Sequence, residues 1–486
     1  MKLADAIKFM NADASKLNPA LLDTSVNSFA IDSREVKAGQ VFFALSQPDY
    51  KNNCFNGDFE DSHKYIPSAF GKDAAVCVAR FDRFLEHKEI LEKFQDRLIF
   101  VEDAILALQK LAHGVYLQWN KPVVAITGSA GKTTAKELTA HVLEAKGLKV
   151  LRNIKNYNNG LGHPLTVLNL AKDDSYDAAV LEMGMSTPNN EIARLCRITP
   201  PDFAVELNVL PVHVEHLGSI ENVAKAKIEL IEGMKPDGTA VLNADDGRVL
   251  AMRELSKDNT ITFGIENAAD VTASEIEMTR FGETRFVLNL PSEKAEISMQ
   301  LSGQHNVLNA LAASAVGFGF GMSAREIADA LKTIAPPPQR GEVLHFQEGF
   351  TIINDSYNSN PAALLGMVKT LVEGKQSAKR LIVVAGEMLE LGEHEKEIHR
   401  EVGEKIATSG IDFLIGVRGL AKDLIESANT NGLSETKFFS NSDEAGEFLG
   451  TEIKAGDLVL VKGSRGVRTE KVIEKLVQSF KFQVSN

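Results

Sequence analysis

The sequence predicts an α/β protein of three domains: a small mixed N-terminal domain, a central parallel-sheet domain with a phosphate-binding loop, and a C-terminal Rossmann-like doubly wound domain. Three observations predict it. From about residue 122 onward, apolar runs of strand length alternate with helical patterns, as in a parallel sheet covered on both faces. A Gly-containing loop followed by Lys-Thr-Thr joins the first such strand to its helix at 127–134. The three consecutive prolines 336–338 divide the alternating region, because they exclude both helix and central strand. The expected domains are 1–120, 121–335 and 336–486, and a length of 486 residues agrees with ordinary domain sizes.

In the N-terminal region, Val26 to Ile31 and Gly39 to Leu45 read as strands on either side of the turn Asp32-Ser33-Arg34-Glu35. That turn sets a hydroxyl beside a guanidinium, which suits phosphate; a surface salt bridge at a turn is the other reading. Residues 46–62, with Pro, Asn and Gly, read as a mobile polar loop. A helical pattern from Ala104 to Trp119 leads into the central domain.

Central strands are readable at 122–127, 149–152, 177–182, 202–207 and 239–242. The first runs into Gly128-Ser129-Ala130-Gly131-Lys132-Thr133-Thr134. Backbone N–H groups and the helix dipole face an anion there, the lysine adds charge, and the following threonine is placed to reach Mg²⁺. The loop is a shortened form: Ile126 stands where the longer version has its first glycine. Ligands of such sheets collect beyond the C-terminal strand ends. Glu182 ends the third strand, Asn158 and Asn159 follow the second, and His213 lies shortly past the fourth. Glu182 also reads as a cap or buried ion-pair partner, and His213 as a satisfied loop residue. After the prolines, strands at 350–354, 380–385, 412–415, 437–439 and 457–461 build the last domain, which has no phosphate loop of its own.

Composition excludes several classes. A net charge of −13 argues against nonspecific nucleic-acid binding. Three widely spaced cysteines form no disulfide framework and point to a reducing compartment. The run Ala310 to Met322 is too short and too rich in Ala and Gly to span a bilayer, so it reads as a packed core helix. The N-terminus carries no leader-type apolar run. A cytoplasmic chain, without integral membrane association, is the expectation.

The order of the motifs resembles the Mur ligase family of ATP-dependent amide ligases. Beside the loop, the resemblance is carried by Leu181-Glu182-Met183-Gly184-Met185, His213, Ala226-Lys227, Asn243-Ala244-Asp245-Asp246 and Gly303 to Ala310. In the last domain it is carried by Arg340, Asp355-Ser356-Tyr357-Asn358-Ser359-Asn360-Pro361, Gly386 to Gly392 and Val461 to Gly466. The last-domain motifs are similar to those of the member that joins D-alanyl-D-alanine to UDP-N-acetylmuramoyl-tripeptide, so these two molecules are the implied substrates and a monomer the implied state.

The resemblance also implies roles. ATP and two Mg²⁺ ions are the implied cofactors. Lys132 holds the phosphates; Gly128, Ser129, Ala130, Gly131, Thr133 and Thr134 complete the cradle. Thr133, Glu182 and His213 hold metal, as does Lys227 if carbamylated, with Lys225 two residues away as the competing register. Asn306 and Asn309 line the adenine side, while Arg340 and Asp355 close over the nucleotide. Ser33 and Arg34 meet the UDP end, and Asn158 and Asn159 the reacting carboxyl. Tyr357, Asn358, Asn360, Lys462, Ser464 and Arg465 form the remaining substrate set. Two departures stand out: Ser62-His63 replaces the family's Gly-His, and Val212 rather than Ala precedes His213. Another Mur ligase or a folylpolyglutamate synthase-like ligase is the competing enzyme reading, and an ATP-driven switch protein the competing non-ligase one.

Overall fold

A computed structural model of the chain describes all residues except 56, 155, 186–189, 212–216, 257–258, 281, 376–377 and 482–486. His213 therefore lies outside the described residues. The chain divides into two compact units, residues 1–127, 147–204 and 228–239 forming one, and residues 128–146, 205–227 and 240–486 the other.

The first unit holds two groups of strands. β1 (Phe29–Ala30), β2 (Val41–Phe43), β3 (Val76–Arg80) and β4 (Leu98–Val101) make a parallel sheet in that order. Its core joins Phe42, Cys77 and Leu98 to Ile66, Phe70 and Leu91 from the covering helices. The expected strand at 26–31 shrinks to two residues, and β3 and β4 are additional. The expected loop at 46–62 is a helix in its first part, Gln47–Asn52. Ser46 caps it in a reciprocal box with Asp49, and Pro48 sits in its first turn, where its missing N–H costs nothing. His63, just past that loop, is buried between Asp61 and the backbone N–H of Arg80.

The same unit holds β5 (Val123–Thr127), β6 (Val150–Arg152) and β7 (Ala178–Glu182), with β7 parallel to both others. The helix Ala104–Trp119 matches the helical pattern at both ends, opened by Asp103, whose carboxylate accepts from the backbone of Leu106. β8 (Phe203–Glu206) crosses from this unit into the next.

In the second unit, β9 (Thr239–Asn243) runs parallel to β10 (Thr260–Gly264), which is parallel to β11 (Val271–Arg280). β12 (Glu283–Asn289) and β13 (Lys294–Met299) continue as an antiparallel meander. This meander is an antiparallel addition that the sequence did not announce; β9, β10 and β11 run parallel, as expected of a largely parallel central sheet. Of the run Ala310 to Met322, expected as a core helix, residues 310–319 lie in the helix Gln304–Gly319, which is buried along most of its length.

The C-terminal sheet has β14 (Glu342–His345) antiparallel at its edge, then β15 (Thr351–Asp355), β19 (Asp457–Lys462), β16 (Arg380–Gly386), β17 (Phe413–Val417) and β18 (Thr436–Phe439), all parallel. Successive residues feed opposite cores: Leu381, Val383 and Ala385 on one face, Ile382 and Val384 on the other. This is the doubly wound arrangement expected from the sequence. Residues 336 and 337 have neither helix nor strand, as three prolines require.

Candidate active site

Neighbouring residues hold the phosphate loop in shape. Gly128 has φ +156°, and a Cβ there would stand 2.8 Å from the Cβ of Leu207. Gly131 has φ +85°, and a Cβ there would stand 2.5 Å from Asn309 Oδ1. Asn208 clamps the turn between them. Its Oδ1 accepts from the backbone N–H of Ala130 at 2.8 Å, and its Nδ2 donates to the carbonyl of the same residue at 3.1 Å. Ser129 Oγ bonds both backbone groups of Leu210. Lys132 opens the helix Lys132–Ala145 and donates to the carbonyl of Gly128 at 2.7 Å, bending back across the loop.

Around this loop the second unit collects several of the expected residues. Asn306 and Asn309 are buried and bonded to one another at 3.3 Å. Arg340 Nη2 donates to Thr133 Oγ1 at 3.3 Å, and its guanidinium lies over the Tyr357 ring at 4.1 Å. Arg465 lies 5.7 Å from the same ring. Thr134 is buried. Lys462 Nζ meets Asp355 Oδ2 at 2.5 Å and donates to the carbonyl of Asn358 at 2.9 Å.

Other expected residues work locally. Asn360 caps the helix Pro361–Glu373 through Ala363 N–H, and Asn358 accepts from Ser359 N–H. Ser464 Oγ accepts from Leu389 N–H at 3.0 Å.

Lys227 lies on the helix Ile220–Glu232 and is buried, whereas Lys225 is exposed. Burial pulls the Lys227 ammonium down to about 7, with Lys132 pulling the same way and Glu206 opposing. Glu206, at the end of β8, is wholly buried and pushed up to about 8 by that burial, with Lys227 and Lys132 opposing and Asp246 adding to it. Both Glu206 oxygens are buried, with no hydrogen-bond partner among the described residues.

The first unit holds the rest. Glu182 ends β7 directly across from Ile126, the penultimate residue of the strand that feeds the loop. Its carboxylate accepts from Asn158 Nδ2 at 2.8 Å, and Asn153 pins its backbone from both sides. Asn159 turns its Oδ1 onto the N–H groups of Leu161 and Gly162. In the turn at residues 32–35, Arg34 makes a two-pronged pair with Asp32, 2.6 Å at the shorter contact, while Lys72 donates to the carbonyls of Ser33 and Arg34. The surface salt bridge that the sequence allowed at this turn is therefore present.

With this geometry, comparison with known proteins is informative. The family model for the Mur ligase middle domain matches residues 126–317, and the model for the Mur ligase glutamate ligase domain matches residues 339–465. The UDP-N-acetylmuramoyl-tripeptide–D-alanyl-D-alanine ligase of Bacillus subtilis is 30% identical over 463 residues, which is 95% of each chain. The chain belongs to the Mur ligase family. Among solved structures, MurF from Acinetobacter baumannii superposes with a TM-score of 0.84 at 25% identity, covering 98% of each chain. The MurF ligase from Thermotoga maritima, solved in complex with ADP, gives 0.79 at 28% identity, covering 93% of this chain and 97% of that one.

Sequence reasoning about this Mur ligase missed Asn208 and Glu206. The signal for Glu206 was readable: a carboxylate inside the apolar run Phe203-Ala204-Val205-Glu206-Leu207. Asn208 carried none, because an Asn after a strand is ordinary loop composition.

Proposed function

We propose that this Mur ligase joins the amine of D-alanyl-D-alanine to the terminal carboxylate of UDP-N-acetylmuramoyl-tripeptide, consuming ATP and releasing ADP and phosphate. The similarity to the Bacillus subtilis enzyme over 95% of both chains carries this choice of substrates. The product is a UDP-N-acetylmuramoyl-pentapeptide, a precursor for peptidoglycan and so for cell shape and division. We assign the work to a cytoplasmic monomer with domains 1–120, 121–335 and 336–486.

A carboxylate is a poor acyl donor. Transfer of the γ-phosphoryl group to it gives an acyl phosphate; the amine then attacks the carbonyl carbon, and the tetrahedral adduct expels phosphate. Charge develops on the moving phosphoryl oxygens, where the Lys132 ammonium and the N–H groups of the Gly128–Thr134 loop stabilise it. Arg340, reaching Thr133 Oγ1 and stacked on Tyr357, holds the nucleotide side of the loop. Asn306 and Asn309 position adenine, and Asp355 the ribose end. Asn158 and Asn159 orient the tripeptide carboxyl, and Ser33 and Arg34 the UDP end. Tyr357, Asn358, Asn360, Lys462, Ser464 and Arg465 serve the incoming dipeptide.

Two Mg²⁺ ions belong to this reading. The site fits a hard cation: Glu206 keeps buried carboxylate oxygens without donors, and Thr133 offers a hydroxyl at the helix start. Among the described residues no three His, Cys, Asp or Glu side chains converge. Thr133, Glu182 and His213 would hold the ions, with Lys227 as a carbamate. A buried lysine drawn to about 7 has the neutral amine that carbamylation needs. When bound, Mg²⁺ withdraws charge from the phosphoryl oxygens.

Lys132→Ala tests the assignment. Its kcat should fall by at least about 10²–10³-fold while the thermal melt stays in place. Near-normal turnover contradicts it.

A further inference from the structure

Glu206 stands two residues before Asn208, the clamp of the loop, and is not one of the metal-holding set Thr133, Glu182, His213 and Lys227. It ends β8 inside an apolar run, no solvent reaches it, and among the described residues neither carboxylate oxygen has a hydrogen-bond partner. A buried carboxylate in that state is costly, so folds keep one where something completes it.

The chain leaving Glu206 is fastened to the phosphate loop. Ser129 N–H donates to the carbonyl of Asn208 at 3.0 Å, Asn208 clamps both backbone groups of Ala130, and Leu207 Cβ fills the space beside Gly128. Glu206 thus stands two residues from the clamp of the loop that would carry the ATP phosphates.

The charged groups acting on it are Lys227, Asp246 and Lys132. Asp246 is engaged elsewhere: its oxygens accept from the N–H groups of Val209, Arg248 and Val249. Lys132 Nζ donates to Gly128. A buried lysine and carboxylate that are each other's partners close to contact, as Lys462 and Asp355 do at 2.5 Å. Glu206 and Lys227 do not close in this way, since among the described residues, Lys227 included, no donor reaches Glu206.

We propose that Glu206 is a carboxylate ligand of a divalent cation that enters this site with the nucleotide. Hard divalent cations take oxygen ligands, usually one or two carboxylates together with phosphate oxygens, and an encoded carboxylate needs no bicarbonate to exist. The inference rests on the ATP-ligase reading. It adds a ligand that neither the phosphate-loop pattern nor the motifs quoted above contain.

The test is a Mn²⁺ titration of the full chain with ADP, read by the electron paramagnetic resonance of free Mn²⁺, in bicarbonate-free and bicarbonate-supplemented buffer. Glu206→Gln should weaken Mn²⁺ binding by about tenfold or more in both buffers, and leave ADP binding in EDTA unchanged. Glu206→Asp, which keeps the charge, should recover part of the loss. Affinity in Glu206→Gln within about twofold of the parent overturns the proposal. So does a loss seen only with bicarbonate, which assigns Glu206 to support of a Lys227 carbamate. If Glu206→Gln does not fold, Glu206→Asp decides: unchanged affinity overturns the proposal, and weakened affinity with intact ADP binding in EDTA supports it. A parent protein that binds no Mn²⁺ with ADP overturns the metal reading itself, a result distinct from failure of Glu206 alone.

Discussion

Two buried lysine–carboxylate pairs in the second unit are built from the same residue types and behave differently. Lys462 and Asp355 face each other across β19 and β15 in register and close to 2.5 Å, with the Asn358 carbonyl accepting a further bond from the ammonium. Lys227 and Glu206 stand on a helix and a strand, and the carboxylate has no donor among the described residues. The first pair is complete in itself and fastens the chain after β15 to the sheet. The second is incomplete, and it lies against the loop where phosphate and metal are expected. A closed pair holds a fold together; an open one marks a place that a ligand completes.

Breaking the closed pair gives the largest expected effect on stability. Asp355→Ala strands a buried ammonium and should lower the unfolding free energy by about 3–5 kcal/mol in a urea melt. Lys227→Met breaks no closed contact and should cost under about 1 kcal/mol, or stabilise. Equal losses in the two variants would erase the distinction between the pairs. Asn360→Ala sharpens the same region by asking what the loop after β15 owes to its helix cap. It should cost about 1 kcal/mol, the ordinary worth of an N-cap, and a larger loss would tie Asn360 to the Lys462–Asp355 contact.

The smallest effect at neutral pH comes from a buried group that stays uncharged. His163 Nε2 bonds Thr199 Oγ1 at 2.8 Å, its Nδ1 has no partner, and burial pulls the ring down to about 3 from 6.5. Between those values the unfolded chain binds a proton that the folded chain does not, so stability falls as pH drops from about 6.5 toward 3. His163→Gln should flatten this acid limb in urea melts across pH 4–7, with little change at the neutral end. An unaltered limb would show that the imidazole is solvated in the folded state.

Much of the fold was legible because its strands are buried on both faces and so read as unbroken apolar runs. β5, β7, β16 and β19 appear within a residue or two of where those runs place them. The meander β11–β13 was not read, because one of its faces meets solvent: along β12, Thr284, Phe286 and Leu288 are buried while Arg285 is exposed. Its signal is a period of two, weaker than a run. The helix Gln47–Asn52 was hidden by Pro and Asn, which signal a loop except in a first turn and at an end. At the site, the turn that joins β5 to the helix Lys132–Ala145 and the place of Glu182 at the end of β7 were legible in the sequence. The burial of Lys227 against the exposure of Lys225 was not, because two lysines two residues apart differ only in which side of the helix they occupy.

The central claim, amide ligation driven by ATP, is tested most directly by phosphate release from ATP measured with and without UDP-N-acetylmuramoyl-tripeptide and D-alanyl-D-alanine. The account predicts steady release only when both are present, matched by formation of the pentapeptide. Release that ignores D-alanyl-D-alanine, or that needs folate and glutamate instead, would contradict it.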